Sequence, residues 1–152
     1  FCAIVSNTSG TAFGAVLSFT IPSFPAVVTN SATVVTSSSA TLQGAANPVA
    51  ALTTAWFRYS PTDPGGCNDT FGSRTPSSGG AALGSGITSV PFAQPIAGLT
   101  PATTYYYCAI ANNSYGTGFG AVLSFTTPAT APSVTTSGAS SLTRTTGVLN
   151  GD

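Results

Sequence analysis

Few residues of this 152-residue chain could do chemistry, and their types limit what that chemistry can be. There is no histidine, glutamate or lysine, and the charged side chains are Arg58, Arg74 and Arg144 with Asp63, Asp69 and Asp152. A catalytic site needs a nucleophile beside a base, paired carboxylates, or a set of metal ligands. Asp63 and Asp69 lie six residues apart in one Gly-rich stretch and are the only carboxylates between residues 25 and 128. Two carboxylates hold calcium only if many carbonyls join them. The chain therefore reads as non-enzymatic, with no cofactor and no metal. What remains is thiol oxidation at Cys2, Cys67 and Cys108, and sugar attachment at the triplets Asn7-Thr8-Ser9, Asn68-Asp69-Thr70 and Asn112-Asn113-Ser114.

The odd cysteine count is resolved by an internal repeat. Residues 2–22, CAIVSNTSGTAFGAVLSFTIP, return at 108–128 as CAIANNSYGTGFGAVLSFTTP, identical at 15 of 21 positions with an offset of 106. Residues 25–44 return more weakly at 132–151 with an offset of 107. Residues 1–22 are then the end of one unit, 25–128 a whole unit, and 129–152 the start of a third. Cys2 is the copy of Cys108, which leaves two cysteines per unit. The expectation is a Cys67–Cys108 disulfide and an oxidising compartment, the other reading being two buried thiols. A period near 106 suits one independent domain per repeat rather than a solenoid. The linkers IPSFP and TPATAP each carry two prolines, which restrict the backbone and favour a stiff connection.

Charged residues make up 4% of the chain, against about 25% in ordinary soluble domains. Net charge is zero and mean hydropathy is +0.33. Such a surface favours association unless something covers it. Neighbouring subunits or attached glycan are the expected cover. Serine and threonine, 45 residues together, offer hydroxyls for O-linked sugar, notably in 33–39 and 126–136, or simply decorate the polar faces of strands. Three arginines cannot neutralise a phosphate backbone, so nucleic acid is not an expected partner. The longest apolar runs are four or five residues, too short to cross a bilayer as a helix.

Elements to position these residues follow from periodicity. No segment shows a 3.6-residue pattern, and Gly and Pro punctuate runs rich in Val, Thr, Phe and Tyr, so the chain is read as all-β. Seven strands are expected in the whole unit, at 26–30, 40–46, 53–60, weakly at 68–72, then 88–94, 103–112 and 119–126. Alternation turns Phe119, Ala121, Leu123 and Phe125 inward on the last strand. On the strand before it, Tyr105, Tyr107, Ala109 and Ala111 face the core. Leu42, Phe57, Tyr59 and Leu99 complete that core. Trp56, Arg58, Tyr106, Ile110 and Val122 then fall on an outer face more apolar than water-facing sheet should be, an interface candidate. A register slip of one residue would reverse that assignment.

Leu99, Pro101, Thr103 and Tyr105, followed by Ala111, Asn113 and Gly116, fall in the spacing L-x-P-x-T-x-Y then A-x-N-x-x-G. This resembles a fibronectin type III domain, and TLQGAANP at 41–48 with AWFRYS at 55–60 resembles the divergent repeats of bacterial secreted and surface proteins. The resemblance implies a seven-stranded, immunoglobulin-like β-sandwich in which Tyr105 makes a corner hydrogen bond to nearby backbone. It also implies that 1–22 holds strands F–G of a preceding repeat and 129–152 strands A–B of a following one. The chain departs from the family in lacking a tryptophan on strand B and in carrying Trp56 on strand C. The cysteine pair is atypical too, and would pin the long loop 61–86 onto the sheet. The expected function is a structural repeat of an extracellular surface filament or giant adhesin, self-associating and coated by covalent glycan. The alternative is a spacer or carbohydrate-binding module of a secreted polysaccharide-degrading enzyme.

Overall fold

The computed structural model describes residues 1–21 and 23–152. Pro22, the first proline of the IPSFP linker, lies outside them. The described residues are all-β with antiparallel pairing throughout, and no helix among them is long and apolar enough to cross a membrane. The described residues form thirteen strands, nine of them within 25–128 where seven were expected: β1 (Ile4–Asn7), β2 (Gly10–Phe13), β3 (Ala26–Thr33), β4 (Ser39–Asn47), β5 (Thr53–Ser60), β6 (Ser73–Thr75), β7 (Ala81–Gly84), β8 (Val90–Ala97), β9 (Thr104–Asn113), β10 (Gly116–Phe119), β11 (Leu123–Thr126), β12 (Thr136–Ser140) and β13 (Val148–Gly151). Residues 26–126 contribute nine of these to two facing sheets. One has the order β3–β4–β8; the other runs β10–β9–β5–β6, with β11 also on β9 and β7 also on β5.

The core fills the space between these sheets. Leu42, Phe57, Tyr107, Ala109 and Ala111 are almost wholly buried, with Phe92, Ile96, Leu99 and Tyr105 packed around them and Tyr59 partly covered. Phe57 and Phe92 meet across the sheets with ring centroids 4.9 Å apart. Gly44 leaves room for this contact, because a Cβ there would lie 2.9 Å from the Ala109 Cβ and close to both rings. At the edge of the smaller sheet, β8 carries Pro91 and Pro95 opposite Ala45 and Thr41. Proline has no N–H to donate and sits in sheets chiefly at edges.

Three expectations from pattern need correction. First, the weak strand at 68–72 does not form. The Asn68 side-chain oxygen instead accepts hydrogen bonds from the Thr70 and Phe71 N–H groups, which closes a turn, and pairing with β5 begins at Ser73. Second, the segment 119–126 is not one strand. On β9, Phe119 pairs with Ile110 but Leu123 pairs with Tyr107, so one extra residue intervenes and the side-chain alternation reverses. Leu123 and Phe125 turn toward the core, while Phe119 is 46% exposed and Ala121 is exposed. Third, β6 and β7 lie in a Gly- and Ser-rich stretch with no alternation to announce them; pairing with β5 holds them.

The interruption between β10 and β11 is closed from the other sheet. Gly120 donates its N–H to the Ala109 carbonyl at 2.9 Å, and the Ala109 N–H is satisfied by the Thr29 hydroxyl of β3 at 3.0 Å. The Tyr107 hydroxyl donates to the Asn30 carbonyl at 2.7 Å. Gly118 and Gly120 let β3 come this close, since a side chain at either would collide with Pro25 or Thr29. Below this point, the Tyr105 hydroxyl accepts the Thr100 N–H at 3.0 Å. Buried Thr127 accepts the Thr103 N–H and donates to the Thr100 carbonyl.

Both terminal segments form separate two-stranded ladders that copy the geometry of their sequence counterparts. Ile4 pairs with Phe13 as Ile110 does with Phe119, and Gly14 donates to the Ala3 carbonyl as Gly120 does to Ala109. Leu17 donates to the Phe1 carbonyl, so the one-residue shift recurs as well. At the other end, Thr136↔Gly151, Ser137↔Asn150 and Ser140↔Val148 reproduce Thr29↔Gly44, Asn30↔Gln43 and Thr33↔Thr41, with the same break in register. Even the positive φ of 50° at Val34 returns at Ser141.

Because Leu42 is enclosed by both sheets, Leu42→Ala is expected to cost about 2–5 kcal/mol of stability through lost burial and the cavity left behind. Urea unfolding should show a lower midpoint with an unchanged slope.

Candidate functional site

The outer face of the larger sheet gathers most of the chain's chemically distinctive side chains. Neighbouring positions on β5 and β9 place Trp56 opposite Ile110 and Arg58 opposite Cys108. Alternation alone leaves this face open to solvent, while the cysteine pair predicts that the loop 61–86 is pinned onto the sheet. The structure covers it: Trp56 is 8% exposed, Ile110 and Cys108 are wholly buried, and Val122 is partly buried. The cover is the protein's own loop 61–72, which folds back so that Cys67 and Phe71 pack on Trp56, Cys108 and Ile110. Tyr106 lies toward the rim and is half-buried.

Three kinds of bond hold the loop. Cys67 and Cys108 are joined in a disulfide with Cα atoms 6.0 Å apart, linking positions separated by 41 in sequence. Asp69 accepts hydrogen bonds at one carboxylate oxygen from the Trp56 indole N–H at 2.9 Å and from Arg58 Nε at 2.8 Å. A further Arg58 N–H donates to the Asp69 carbonyl at 2.6 Å, and Arg58 also reaches the Phe71 and Gly72 carbonyls at longer range. The guanidinium of Arg74 on β6 lies 4.5 Å from the centre of the Trp56 ring and donates to the Pro76 and Gly79 carbonyls. Arginine suits this work because its fixed fork of donors serves several acceptors and its flat cation stacks on an aromatic face.

Partial burial by itself raises the pKa of Asp69. The Arg58 and Trp56 hydrogen bonds and the charges of Arg58 and Arg74 more than reverse this, leaving the pKa below the usual 3.8. Asp63 stays apart, its carboxylate accepting the Gly65 N–H at 2.8 Å in a local turn. Among the described residues, no three His, Cys, Asp or Glu side chains come together in a way that could hold a metal. The Arg58–Asp69–Trp56 arrangement fastens a loop. The sequence sets Asp63 and Asp69 side by side as a weak calcium pair and gives Arg74 no role, whereas the structure ties Asp69 to Arg58 and Trp56 and leaves Asp63 in its own turn. The signal available was composition: in a chain with so few charges, an Arg–Asp pair separated by 11 residues is a candidate for a fixed contact.

The three acceptor asparagines are all exposed but differ in surroundings. Asn7 sits at the β1–β2 turn, its oxygen accepting the Ser9 N–H. Asn112 lies on β9 and donates to the Thr117 hydroxyl at 2.8 Å. Asn68 occupies the clamped loop beside Cys67, and its oxygen accepts the Thr70 hydroxyl at 2.7 Å. In the serine- and threonine-rich tracts, Thr127 is buried and structural, whereas Thr33, Thr36, Ser38, Thr126, Thr130, Thr135 and Thr136 are exposed.

No family model and no curated protein matches the chain. Among solved structures, it is similar to sensor domains of the anti-sigma factor RsgI4 in Pseudobacteroides cellulosolvens. A longer form shares 15% identity over 72% of this chain and 95% of that one, with a TM-score of 0.47. A shorter form shares 17% over 71% and 98%, with a TM-score of 0.48, and a solution structure 18% over 68% and 74%, with a TM-score of 0.46. At these scores the likeness bears on neither function nor partner.

Two outcomes follow. Replacing both Cys67 and Cys108 by serine is expected to cost about 4 kcal/mol in the chain-entropy account of a loop this long. The emission of Trp56, the only tryptophan, should shift to the red before global unfolding as the loop lifts away. The Asp69 contribution has the sign of a depressed carboxylate pKa: fully present above the unfolded value near 3.8, and lost as pH falls through the lower folded value. The Tm difference between the native chain and Asp69→Asn, measured from pH 6 to pH 2, should therefore shrink below about pH 4.

Proposed function

We propose that this chain is a structural repeat of an extracellular, surface-borne filament, non-enzymatic and built from fibronectin type III-like sandwiches joined through Pro-bounded linkers. The observation that carries this reading is duplication. Terminal segments that copy 108–128 and 25–44 in sequence adopt the same ladders, the same register breaks and the same turn geometry. The type III reading is supported by the three-stranded β3–β4–β8 sheet facing β10–β9–β5–β6, and by the Tyr105 hydrogen bond to Thr100. A disulfide between a loop and a central strand is the chemistry of an oxidising compartment, which supports an extracellular setting.

The mechanism is mechanical. Each unit resists extension through antiparallel pairing and a covalent tie between β9 and the loop after β5. Of the chain's six charged side chains, Arg58 and Asp69 fasten that loop and Arg74 lies over the Trp56 ring, which leaves little charge to keep the surface apart from its neighbours. Self-association and covalent glycan at exposed Asn68, Asn112, Asn7 and the Ser/Thr tracts would close that surface. Burial of Trp56 removes the exposed aromatic platform on which a carbohydrate-binding module would stack sugar rings.

Electron cryo-microscopy and intact mass of the native material test the proposal together. Ordered fibres with extra density on Asn, Ser or Thr side chains, and a mass above that of the bare polypeptide, are expected. Isolated particles with the mass of the bare chain would overturn it.

A further inference from the structure

The N-terminal hairpin has faces that its counterpart in the central unit shows how to cover. Cys2 and Ile4 are exposed, Ile4 at 61%, whereas their equivalents Cys108 and Ile110 are wholly buried. Leu17 and Phe19 are 57% and 73% exposed, whereas their equivalents Leu123 and Phe125 pack against the core cluster. Backbone pairing is already the same in both copies, so the two hairpins differ in their surroundings rather than in their fold. Cys108 shows what those surroundings must contain, because it is bonded to a loop cysteine, lies opposite Arg58, and is followed by Ala109, whose N–H is satisfied by a β3 threonine.

We propose that Cys2 forms a disulfide with a loop cysteine of an adjoining copy of the repeat in the same polypeptide, and that this copy's equivalents of β3 and β5 bury the two faces of the β1–β2 hairpin. This rests on the tandem-repeat reading above. The predicted neighbours are specific: a tryptophan opposite Ile4, an arginine opposite Cys2, and a threonine hydroxyl accepting the Ala3 N–H. The same polypeptide is the source favoured by the chain itself. In the central unit the covering strands come from residues 26–60 of the same chain, and each copy of the hairpin segment is followed by a Pro-bounded linker and then a copy of residues 25–44.

The covalent step is thiol–disulfide exchange with a disulfide oxidant, the chemical class that also makes Cys67–Cys108. One thiolate attacks the oxidant's disulfide and displaces one of its sulfurs; the second thiolate then displaces the other. Two thiols become one S–S bond, and the two electrons and two protons leave on the reduced oxidant.

The test uses the native polypeptide, alkylated with N-ethylmaleimide before any reductant, digested, and mapped by mass spectrometry beside a non-reducing gel. The expected result is no alkylated Cys2, a Cys2 peptide linked to a cysteine peptide other than those of Cys67 and Cys108, and no rise in apparent chain mass without reductant. In the 152-residue chain produced alone, Cys2 should alkylate fully while Cys67–Cys108 resists. Alkylated Cys2 in the native polypeptide would overturn the inference, as would a Cys2 link between separate chains. If fibres are seen while Cys2 is alkylated, this inference fails and the filament reading stands; if Cys2 is bonded and no fibres exist, the reverse holds.

Discussion

The bond between Cys67 and Cys108 is the constraint on which the rest of the central unit turns. Cys108 lies midway along β9, the strand that pairs with β5, β10 and β11 and receives the Thr29 hydroxyl from the opposite sheet. A covalent tie at that point fixes the loop after β5 over Trp56 and Ile110 and makes a second, smaller cluster outside the main core. Without such a cover the larger sheet would present an apolar outer face to water. The unit thus has three layers where its strands alone would give two.

The few charges follow the same economy. Buried or half-buried charges are favourable only when their hydrogen bonds are satisfied. Arg58 meets this condition by spreading its donors over the Asp69 carboxylate and three carbonyls, and Asp69 meets it by accepting from both Arg58 and Trp56. No buried side-chain polar atom among the described residues lacks a partner. The loop is held by polar groups that point inward, and Asp63 is the one charged side chain it leaves exposed.

The two terminal ladders separate local from tertiary causes within one molecule. Their pairing, register breaks and turns match those of their counterparts although their side chains are exposed. The Asn7 oxygen closes one turn and the Thr143 hydroxyl the other, so each ladder is built from bonds between residues close in sequence. Burial of the same residues in the central unit requires strands from elsewhere in the chain.

That division also describes what could be read beforehand. The all-β class, the position of most strands, and the inward set Tyr105, Tyr107, Ala109 and Ala111 were legible, since successive side chains of an unbroken strand alternate in face and the polar Thr104 and Asn112 mark the outer one, although the loop buries Cys108 and Ile110 on that side too. The reversal at Phe119 was hidden, because one extra residue between β10 and β11 changes the face without changing the composition. The fate of Trp56 was half legible: the cysteine pair pointed to a loop lying on the sheet, but residues 61–72 have no period to show that they close over Trp56. The sequence by itself determined the all-β class, most of the strands and the duplicated segments, because alternation and turn residues act over a few positions, whereas β6, β7 and the break within 119–126 took shape only against their partners. Only the tertiary structure decided which faces are covered, because covering Trp56, Cys108 and Ile110 depends on contacts between residues tens of positions apart.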